Sequence, residues 1–308
     1  MNSVYYATWE STWAGEGAQY ELSKIDASVI NIAFVQPNTT YTKGQKTFAG
    51  TGLDFNVDFG TVVDAIALQR PKNHKFMLSI GGASYQASWV NFNAAGIIAL
   101  AQDLGCYGID IDWEGTISDQ QQLLSILKIL KISNLGGLKL SMACWSTGAY
   151  PKTDTDEYSG IDILPLQMYG TLFSWISIMA YDAGSIKDFD PLKSFAAYRA
   201  IYPGTILLGM EVGIPGWTPP GEQPTILQQA DAARILNFIN TQTNAGWMCW
   251  EYKAQGPWTY EQILAQAKTV IGSKPNPTPS EPPPPYTPTA PIACPNCNHN
   301  LTVSLSVN

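Results

Sequence analysis

The chain alternates between short apolar runs and longer segments in which apolar residues recur three or four positions apart. Runs rich in β-branched and aromatic residues are typical of strands, whereas the wider spacing is typical of one face of a helix. We predict strands at residues 4–9, 29–35, 75–82, 108–114, 138–144, 175–182, 205–213 and 246–252. We predict helices at residues 59–70, 88–104, 119–135, 191–201, 226–241 and 260–271. This alternation predicts an α/β fold, a parallel (β/α)8 TIM barrel, with a doubly wound open sheet as the alternative.

The fourth predicted strand carries three acids at alternate positions, Asp110, Asp112 and Glu114. Successive side chains of a strand point to opposite faces, so these carboxylates share one face, while two isoleucines and a tryptophan occupy the other. Three adjacent carboxylates cannot all ionise independently, so one should have a raised pKa and serve as a general acid beside an anionic neighbour. A solvated surface strand is the alternative, which the apolar opposite face disfavours.

The carboxyl ends of the other predicted strands carry aromatic and hydroxyl side chains. In a parallel barrel these ends form the mouth at which ligands bind. Sugars present apolar C–H faces and polar rims, which aromatic rings and hydroxyl groups suit. Any one of these rings could instead cap the barrel core, but together they favour a glycan cleft. The strand ends are Thr8-Trp9, Ser79-Ile80-Gly81-Gly82, Met179-Ala180-Tyr181-Asp182 and Trp250-Glu251-Tyr252.

Composition and charge narrow the classes of function. With 308 residues, 45% of them hydrophobic, the chain can bury the core of one large domain. The formal charge of −8 argues against nucleic acid or an anionic membrane as partner and suits a neutral or cationic ligand. No Gly-x-Gly-x-x-Gly sequence follows a predicted strand, so nucleotide binding lacks its usual support. The sequence has only two histidines, His74 in a polar turn and His299, so histidine-based catalysis is disfavoured.

The five cysteines fall into two groups. Three lie in or beside apolar runs and are predicted to be buried free thiols: Cys106, Cys144 and Cys249. Cys294 and Cys297 form a C-x-x-C pair that has one further ligand nearby, His299, one short of a structural zinc site. A local disulfide or two reduced thiols are therefore the favoured interpretations, and we predict no metal site.

We divide the chain into a barrel at 1–273, a Pro-rich linker at 274–293 and a short tail at 294–308. Residues 301–307 alternate apolar and polar positions, as a half-buried strand does. A single strand is not stable alone, so we expect the tail to dock on the barrel, on another subunit or on a further module. We find no membrane-spanning stretch and no N-terminal signal peptide. The location stays unknown, with cytoplasmic, particle-associated and non-classically exported proteins all compatible.

The acidic strand and the strand ends together resemble glycoside hydrolase family 18, the chitinase family. The sequence Tyr107-Gly108-Ile109-Asp110-Ile111-Asp112-Trp113-Glu114 is similar to the family signature D-G-x-D-x-D-x-E, with Tyr107 in place of the leading Asp. Ser79-Ile80-Gly81-Gly82 resembles the family's S-x-G-G, and Met179-Ala180-Tyr181-Asp182 resembles its M-x-Y-D. Trp250 matches the family's tryptophan on strand eight, and Tyr5 and Phe34 fall where the family has aromatic residues. The resemblance covers about residues 4–272.

This resemblance implies retaining, substrate-assisted hydrolysis of polysaccharides with β-1,4-linked N-acetylglucosamine, without metal or organic cofactor. Glu114 would protonate the leaving oxygen and later activate water, and the substrate's acetamido oxygen would act as nucleophile. Asp112 would hold the acetamide N–H and stabilise the oxazolinium cation, with Asp110 behind it. Tyr181 would donate to the acetamide oxygen. The implied substrate-binding residues are Asp182, Trp250, Tyr5, Phe34, Met179, Gly81 and Gly82.

Three departures from the family pattern qualify this expectation. Tyr107 replaces an acid of the signature, so we expect activity with an altered pH profile. The connection between predicted strands seven and eight is too short for the small α+β subdomain that many members insert there, which suggests an open cleft and endo cleavage. Glu211 matches no family position, and we expect it to pair with a basic neighbour at the rim, with a substrate contact as the alternative.

The sequence also supports a non-catalytic function. The barrel could serve as a glycan-binding module or as a structural subunit of a larger assembly, with the tail as its docking element. Lectins that resemble the family generally lose the acid at the position of Glu114, and this chain retains it. We therefore favour the hydrolase. The sequence does not separate chitin, peptidoglycan and N-glycan cores, which all present N-acetylglucosamine.

Overall fold

The structure is a computed structural model that describes residues 1–13, 21–153, 156–181, 189–216 and 226–271. Eight parallel strands pair in chain order and the last pairs with the first, which closes a barrel and confirms the predicted TIM-barrel fold. The strands are β1 (Asn2–Ala7), β2 (Val29–Val35), β3 (Lys75–Gly81), β4 (Gly108–Asp112), β5 (Lys139–Trp145), β6 (Phe173–Met179), β7 (Thr205–Glu211) and β8 (Ala245–Trp250).

Seven α-helices lie in the described part of the chain and pack outside the barrel. They are α1 (Phe59–Gln69), α2 (Ala94–Leu104), α3 (Gln120–Ile132), α4 (Ile163–Tyr169), α5 (Pro191–Ile201), α6 (Gln229–Thr241) and α7 (Tyr260–Ile271). The prediction of a helix from residue 88 is wrong at its start, because Asn93 caps α2 by accepting a hydrogen bond from the Gly96 N–H. The preceding segment, Ala83–Asn91, is a 3-10 helix. The sequence reading missed α4, whose seven residues are too few to show a helical period.

The predicted strands extend past the observed ones at the mouth of the barrel. The fourth strand ends at Asp112 and not at Glu114, and the first ends at Ala7 and not at Trp9. The sixth ends at Met179, the seventh at Glu211 and the eighth at Trp250, in each case two or three residues before the predicted end. Apolar residues such as Trp113 and Val212 continue beyond the last strand hydrogen bonds and are buried in the larger core cluster, so composition alone does not mark where pairing stops.

Two apolar clusters form the core. The larger one fills the space between the outward faces of the strands and the helices. The smaller one lies inside the barrel and includes Val29, Met77, Trp175 and Leu207. Cys106, Cys144 and Cys249 are buried free thiols, as predicted.

Several predictions fall on residues that the structure does not describe. The Pro-rich linker at 274–293, the tail at 294–308 and the Cys294, Cys297 and His299 group all lie outside the described residues. Within the described ranges, no helix is long and apolar enough to cross a bilayer. The described residues also contain no group of three or more His, Cys, Asp or Glu side chains arranged to hold a metal ion.

Candidate active site

Asp110 is the innermost acid of the barrel and is fully buried. It pairs in register with Ser79 on β3 and Ser141 on β5, so all three side chains point inward. Its carboxylate accepts hydrogen bonds from the hydroxyl groups of Ser79 at 2.8 Å, Ser141 at 2.6 Å and Tyr5 at 2.8 Å. Burial raises the pKa of Asp110, and these three hydrogen bonds oppose that rise. The three donors therefore stabilise a negative charge on Asp110 that burial alone would disfavour.

Asp112 lies two residues nearer the mouth on the same face of β4, with 3% of its surface exposed. Its Oδ1 atom has no hydrogen-bond partner among the described residues. Burial raises the pKa of Asp112 well above its usual value, and the nearby carboxylates of Glu114 and Asp110 raise it further. The site thus holds a buried acid that favours its protonated form and has an oxygen available to a donor from a ligand.

Glu114 follows the end of β4 and is half-buried at the mouth. Its carboxylate lies close enough to Asp112 to raise the pKa of that group. The three acids form the predicted row, although Glu114 projects from the loop after the strand. A half-exposed acid beside a buried, protonated one can exchange a proton with a ligand at the mouth.

Four aromatic side chains form a second feature of the mouth, where β8, β1 and β2 end. Phe34 and Trp250 are stacked at 5.5 Å between ring centroids with an interplanar angle of 14°. Tyr5 meets Trp250 edge-on at 5.6 Å, and Trp9 stacks on Phe34 at 6.0 Å. Trp9 is 50% exposed. We call Tyr5, Trp9, Phe34 and Trp250 the aromatic floor.

Trp9 stands at one of the strand ends that favour a glycan cleft, but it is not among the predicted substrate-binding residues. Its exposure at the mouth is what the sequence does not give, since a tryptophan in an apolar run can equally belong to the core. The structure brings together the other predicted members of the floor, Tyr5, Phe34 and Trp250, within one cluster of ring contacts.

Gly81 and Gly82 allow close packing around the site because neither residue carries a Cβ atom. Both have positive φ, +106° and +74°. A Cβ atom at Gly81 would lie 2.1 Å from the Asp112 carbonyl oxygen, and one at Gly82 would lie 2.7 Å from the Phe34 ring. The end of β3 can therefore approach both the acidic strand and the aromatic floor only with glycine at these positions.

The end of β6 supplies Met179 and Tyr181. Met179 is buried in the inner apolar cluster, and Tyr181 and Trp250 pack against that cluster. The Tyr181 hydroxyl lies 4.0 Å from the Met248 sulfur. Asp182, the last residue of the predicted motif, lies outside the described residues.

A comparison with protein families identifies the barrel. The model described as "Glycosyl hydrolases family 18" matches residues 2–266. The chain belongs to glycosyl hydrolase family 18. Comparison with curated protein sequences gives no match.

Solved structures similar to this family 18 barrel share its fold at low identity. A GH18 chitinase from Pseudoalteromonas aurantia has a TM-score of 0.59 and 17% identity, over 86% of this chain and 99% of that chain. A chitinase from Bacteroides thetaiotaomicron has a TM-score of 0.58 and 16% identity, over 88% and 96%. The Bacillus megaterium QM B1551 spore cortex-lytic enzyme SleL has a TM-score of 0.56 and 12% identity, over 86% and 72%.

Tyr107, the departure from the family 18 signature, lies at the opposite end of β4 from Glu114. It precedes the first strand residue, and its backbone N–H donates to the Phe76 carbonyl oxygen at 2.7 Å. The Lys75 ammonium group stands 5.2 Å from the centre of its ring. The substitution therefore changes the base of the barrel rather than the row of acids at its mouth.

Two further acids border the site. Glu251 follows Trp250 and is 5% exposed; burial raises its pKa to about 7, and its Oε2 atom has no hydrogen-bond partner among the described residues. Glu251 was not predicted as a site residue, although an acid directly after an apolar strand indicates a position at the mouth.

Glu211 is buried at the end of β7 and accepts a hydrogen bond from the Gly216 N–H at 3.0 Å. The predicted pairing of Glu211 with a basic neighbour stays a prediction.

Proposed function

We propose that this family 18 protein is a retaining hydrolase that cleaves β-1,4-linked N-acetylglucosamine polymers with the substrate's own acetamido group as nucleophile. The observation that carries the proposal is the row of Asp110, Asp112 and Glu114, which ends in a half-exposed acid and is joined to the aromatic floor by the hydrogen bond from Tyr5 to Asp110. The floor suits the apolar face of a sugar ring. The row suits the protonation of a glycosidic oxygen.

Glu114 is the proposed acid and base. It protonates the leaving oxygen as the glycosidic bond breaks, and it later removes a proton from the water that opens the cyclic intermediate. Its position at the mouth, half-buried, gives a substrate oxygen access to the carboxyl group.

Asp112 and Asp110 are the proposed electrostatic pair beneath the reacting sugar. The Oδ1 atom of Asp112 accepts the acetamide N–H, which orients the acetamide oxygen towards the anomeric carbon. Positive charge then develops on the acetamido group, and the negative charge that Asp112 shares with Asp110 through one proton stabilises it. Asp110 stays behind, where its three hydroxyl donors hold negative charge in the barrel.

The remaining predicted residues have proposed roles around this pair. Tyr181 donates a hydrogen bond from its hydroxyl group to the acetamide oxygen, and Trp250 stacks beneath the sugar ring. Asp182, which lies outside the described residues, is proposed to position the sugar. Residues 212–244, which include α6, connect β7 to β8. A connection of this length supports an open cleft and cleavage within a chain.

The names of the similar structures give the substrates to be tested first. Two are chitinases and one is a spore cortex-lytic enzyme, so chitin and spore cortex are the first polymers. Release of soluble sugar is measured for the wild type, for Glu114→Gln and for Glu261→Gln, the same change at an exposed acid of α7. Glu114→Gln should lower the rate at least about 100-fold. Glu261→Gln should match the wild type.

The result also decides between the hydrolase and the binding protein. If the folded wild type releases no sugar from either polymer, the hydrolase is wrong. Oligosaccharide binding by that inactive protein would then indicate a glycan-binding barrel.

A further inference from the structure

A second aromatic surface lies across the mouth from the aromatic floor. Trp145 is the last residue of β5, and Tyr158 follows in the next loop. Their ring centroids are 4.2 Å apart and the rings are inclined by 32°. Both side chains are half-buried. Because the barrel closes in chain order, β5 stands diametrically opposite β1, which carries part of the floor.

Trp145 faces the barrel mouth. It occupies an inward position of β5, where it packs against the inner cluster, and it pairs in register with Met179 of β6. Its indole N–H donates to the Gly115 carbonyl oxygen at 3.2 Å. That hydrogen bond ties the ring to the residue directly after Glu114.

Tyr158 packs on Trp145 and so lies on the same side of Glu114 as that ring. Burial raises the pKa of Tyr158 most, and the carboxylates of Glu157 and Glu114 raise it further. The acid therefore stands between two aromatic surfaces. The floor lies on the side of Tyr5 and Asp110, and the pair of Trp145 and Tyr158 lies on the other.

A buried carboxylate outside the barrel holds Trp145 in place. Asp162 is 2% exposed, and its Oδ2 atom accepts the Trp145 backbone N–H at 3.0 Å. The hydroxyl group of Tyr198, a buried residue of α5, lies 2.6 Å from the Trp145 carbonyl oxygen and 2.5 Å from Asp162 Oδ2. A Cβ atom at Gly148 would lie 2.0 Å from Asp162 Oδ2, so the loop can close on the carboxylate only with glycine there.

We propose that Trp145 and Tyr158 form the platform for the sugar on the leaving-group side of the scissile bond, and that Asp162 and Tyr198 position Trp145. The inference rests on the proposed function, since it extends the glycan from the floor past Glu114. A sugar ring that stacks on this pair presents its glycosidic oxygen to the acid between the two surfaces. The ligand is the N-acetylhexosamine unit on the reducing-end side of the bond that is cut.

The test compares two substrates, an N-acetylglucosamine hexamer and the β-glycosyl fluoride of an N-acetylglucosamine trimer, whose leaving group carries no sugar. Trp145→Ala removes binding of the leaving sugar, so it should lower kcat/KM about tenfold on the hexamer and leave the fluoride little affected. Trp9→Ala removes binding on the floor, so it should lower kcat/KM on both substrates. Trp145→Phe keeps an aromatic ring and should retain most of the wild-type rate on the hexamer. An equal loss on both substrates in Trp145→Ala, or no loss on the hexamer, would overturn the platform.

Tyr198→Phe tests the positioning role without touching the mouth. It removes the hydroxyl group but keeps the ring, so it should raise KM for the hexamer, with little change in kcat and little effect on the fluoride. A merely structural role would lower activity on both substrates alike. That uniform loss would overturn the positioning role.

The outcome for the wild type separates this inference from the proposed function. If the wild type cuts the hexamer and Trp145→Ala cuts it identically, the platform fails and the hydrolase stands. If the wild type cuts nothing, the hydrolase fails and calorimetric titration of the hexamer decides the platform. Weaker binding by Trp145→Ala than by the wild type would support the platform, and equal binding would overturn it.

Discussion

The pH dependence of stability offers a quantitative test of the buried carboxylate behind Trp145. Burial raises the pKa of Asp162 from 3.8 to about 6, against the opposing effect of its hydrogen bonds from Tyr198 and Trp145. The folded protein thus binds the proton more tightly than the unfolded chain, and the free energy of unfolding falls as pH rises from about 4 to 7. A rise of about two pKa units corresponds to about 3 kcal/mol.

The substitution Asp162→Asn should remove this dependence. Asparagine keeps an oxygen that can accept the Trp145 N–H, and it does not ionise. The unfolding free energy of Asp162→Asn, relative to the wild type, should therefore rise by about 2 to 3 kcal/mol between pH 4 and pH 7. Urea denaturation across this range measures it, because the other titrating groups cancel in the difference.

A matched control is Asp58→Asn at the start of α1. Asp58 is exposed, and hydrogen bonds from the Thr61 backbone and side chain lower its pKa, so its titration changes stability in the direction opposite to that of Asp162. The unfolding free energy of Asp58→Asn, relative to the wild type, should therefore not rise from pH 4 to pH 7. The absence of a rise for Asp162→Asn as well would refute the assignment of a buried, proton-binding carboxylate.

Three further predictions concern the mouth and the base of the barrel. Gly82→Ala should displace the Phe34 ring and lower kcat/KM about tenfold, with a loss of about 1 to 2 kcal/mol in unfolding free energy, measured by kinetics and urea denaturation. Ser141→Ala removes the 2.6 Å hydrogen bond to Asp110, so the pKa of that acid should rise and the acidic limb of the pH–rate profile should move up by about one unit. Tyr107→Phe should leave the pH–rate profile unchanged, because the phenol lies at the far end of β4.

The barrel was predictable because each strand is a compact apolar run that lies between turn signals. The ends of the strands at the mouth were harder to predict. Trp113 and Glu114 continue the apolar and acidic alternation of β4, yet the strand ends at Asp112, since hydrogen bonding to neighbours and not composition decides its end. Helix α4 has only seven residues, which are too few to show a helical period in the sequence.

Part of the candidate site also followed from the sequence. Asp110, Asp112 and Glu114 are close together in the chain, so the period of a strand was enough to group them. The pairing of Trp145 with Tyr158 and the anchoring of Trp145 by Asp162 and Tyr198 join segments far apart in the chain. Such contacts depend on how the loops after β5 fold back, which no local pattern encodes.

The most direct test of the central claim is the anomeric form of the first product from an N-acetylglucosamine pentamer, followed by proton NMR. Participation of the acetamido group inverts the anomeric centre twice, so the wild type should release the β-anomer first, and Glu114→Gln should release at least about 100-fold less product in the same time. The α-anomer as first product, or equal rates in the two proteins, would contradict the proposed mechanism.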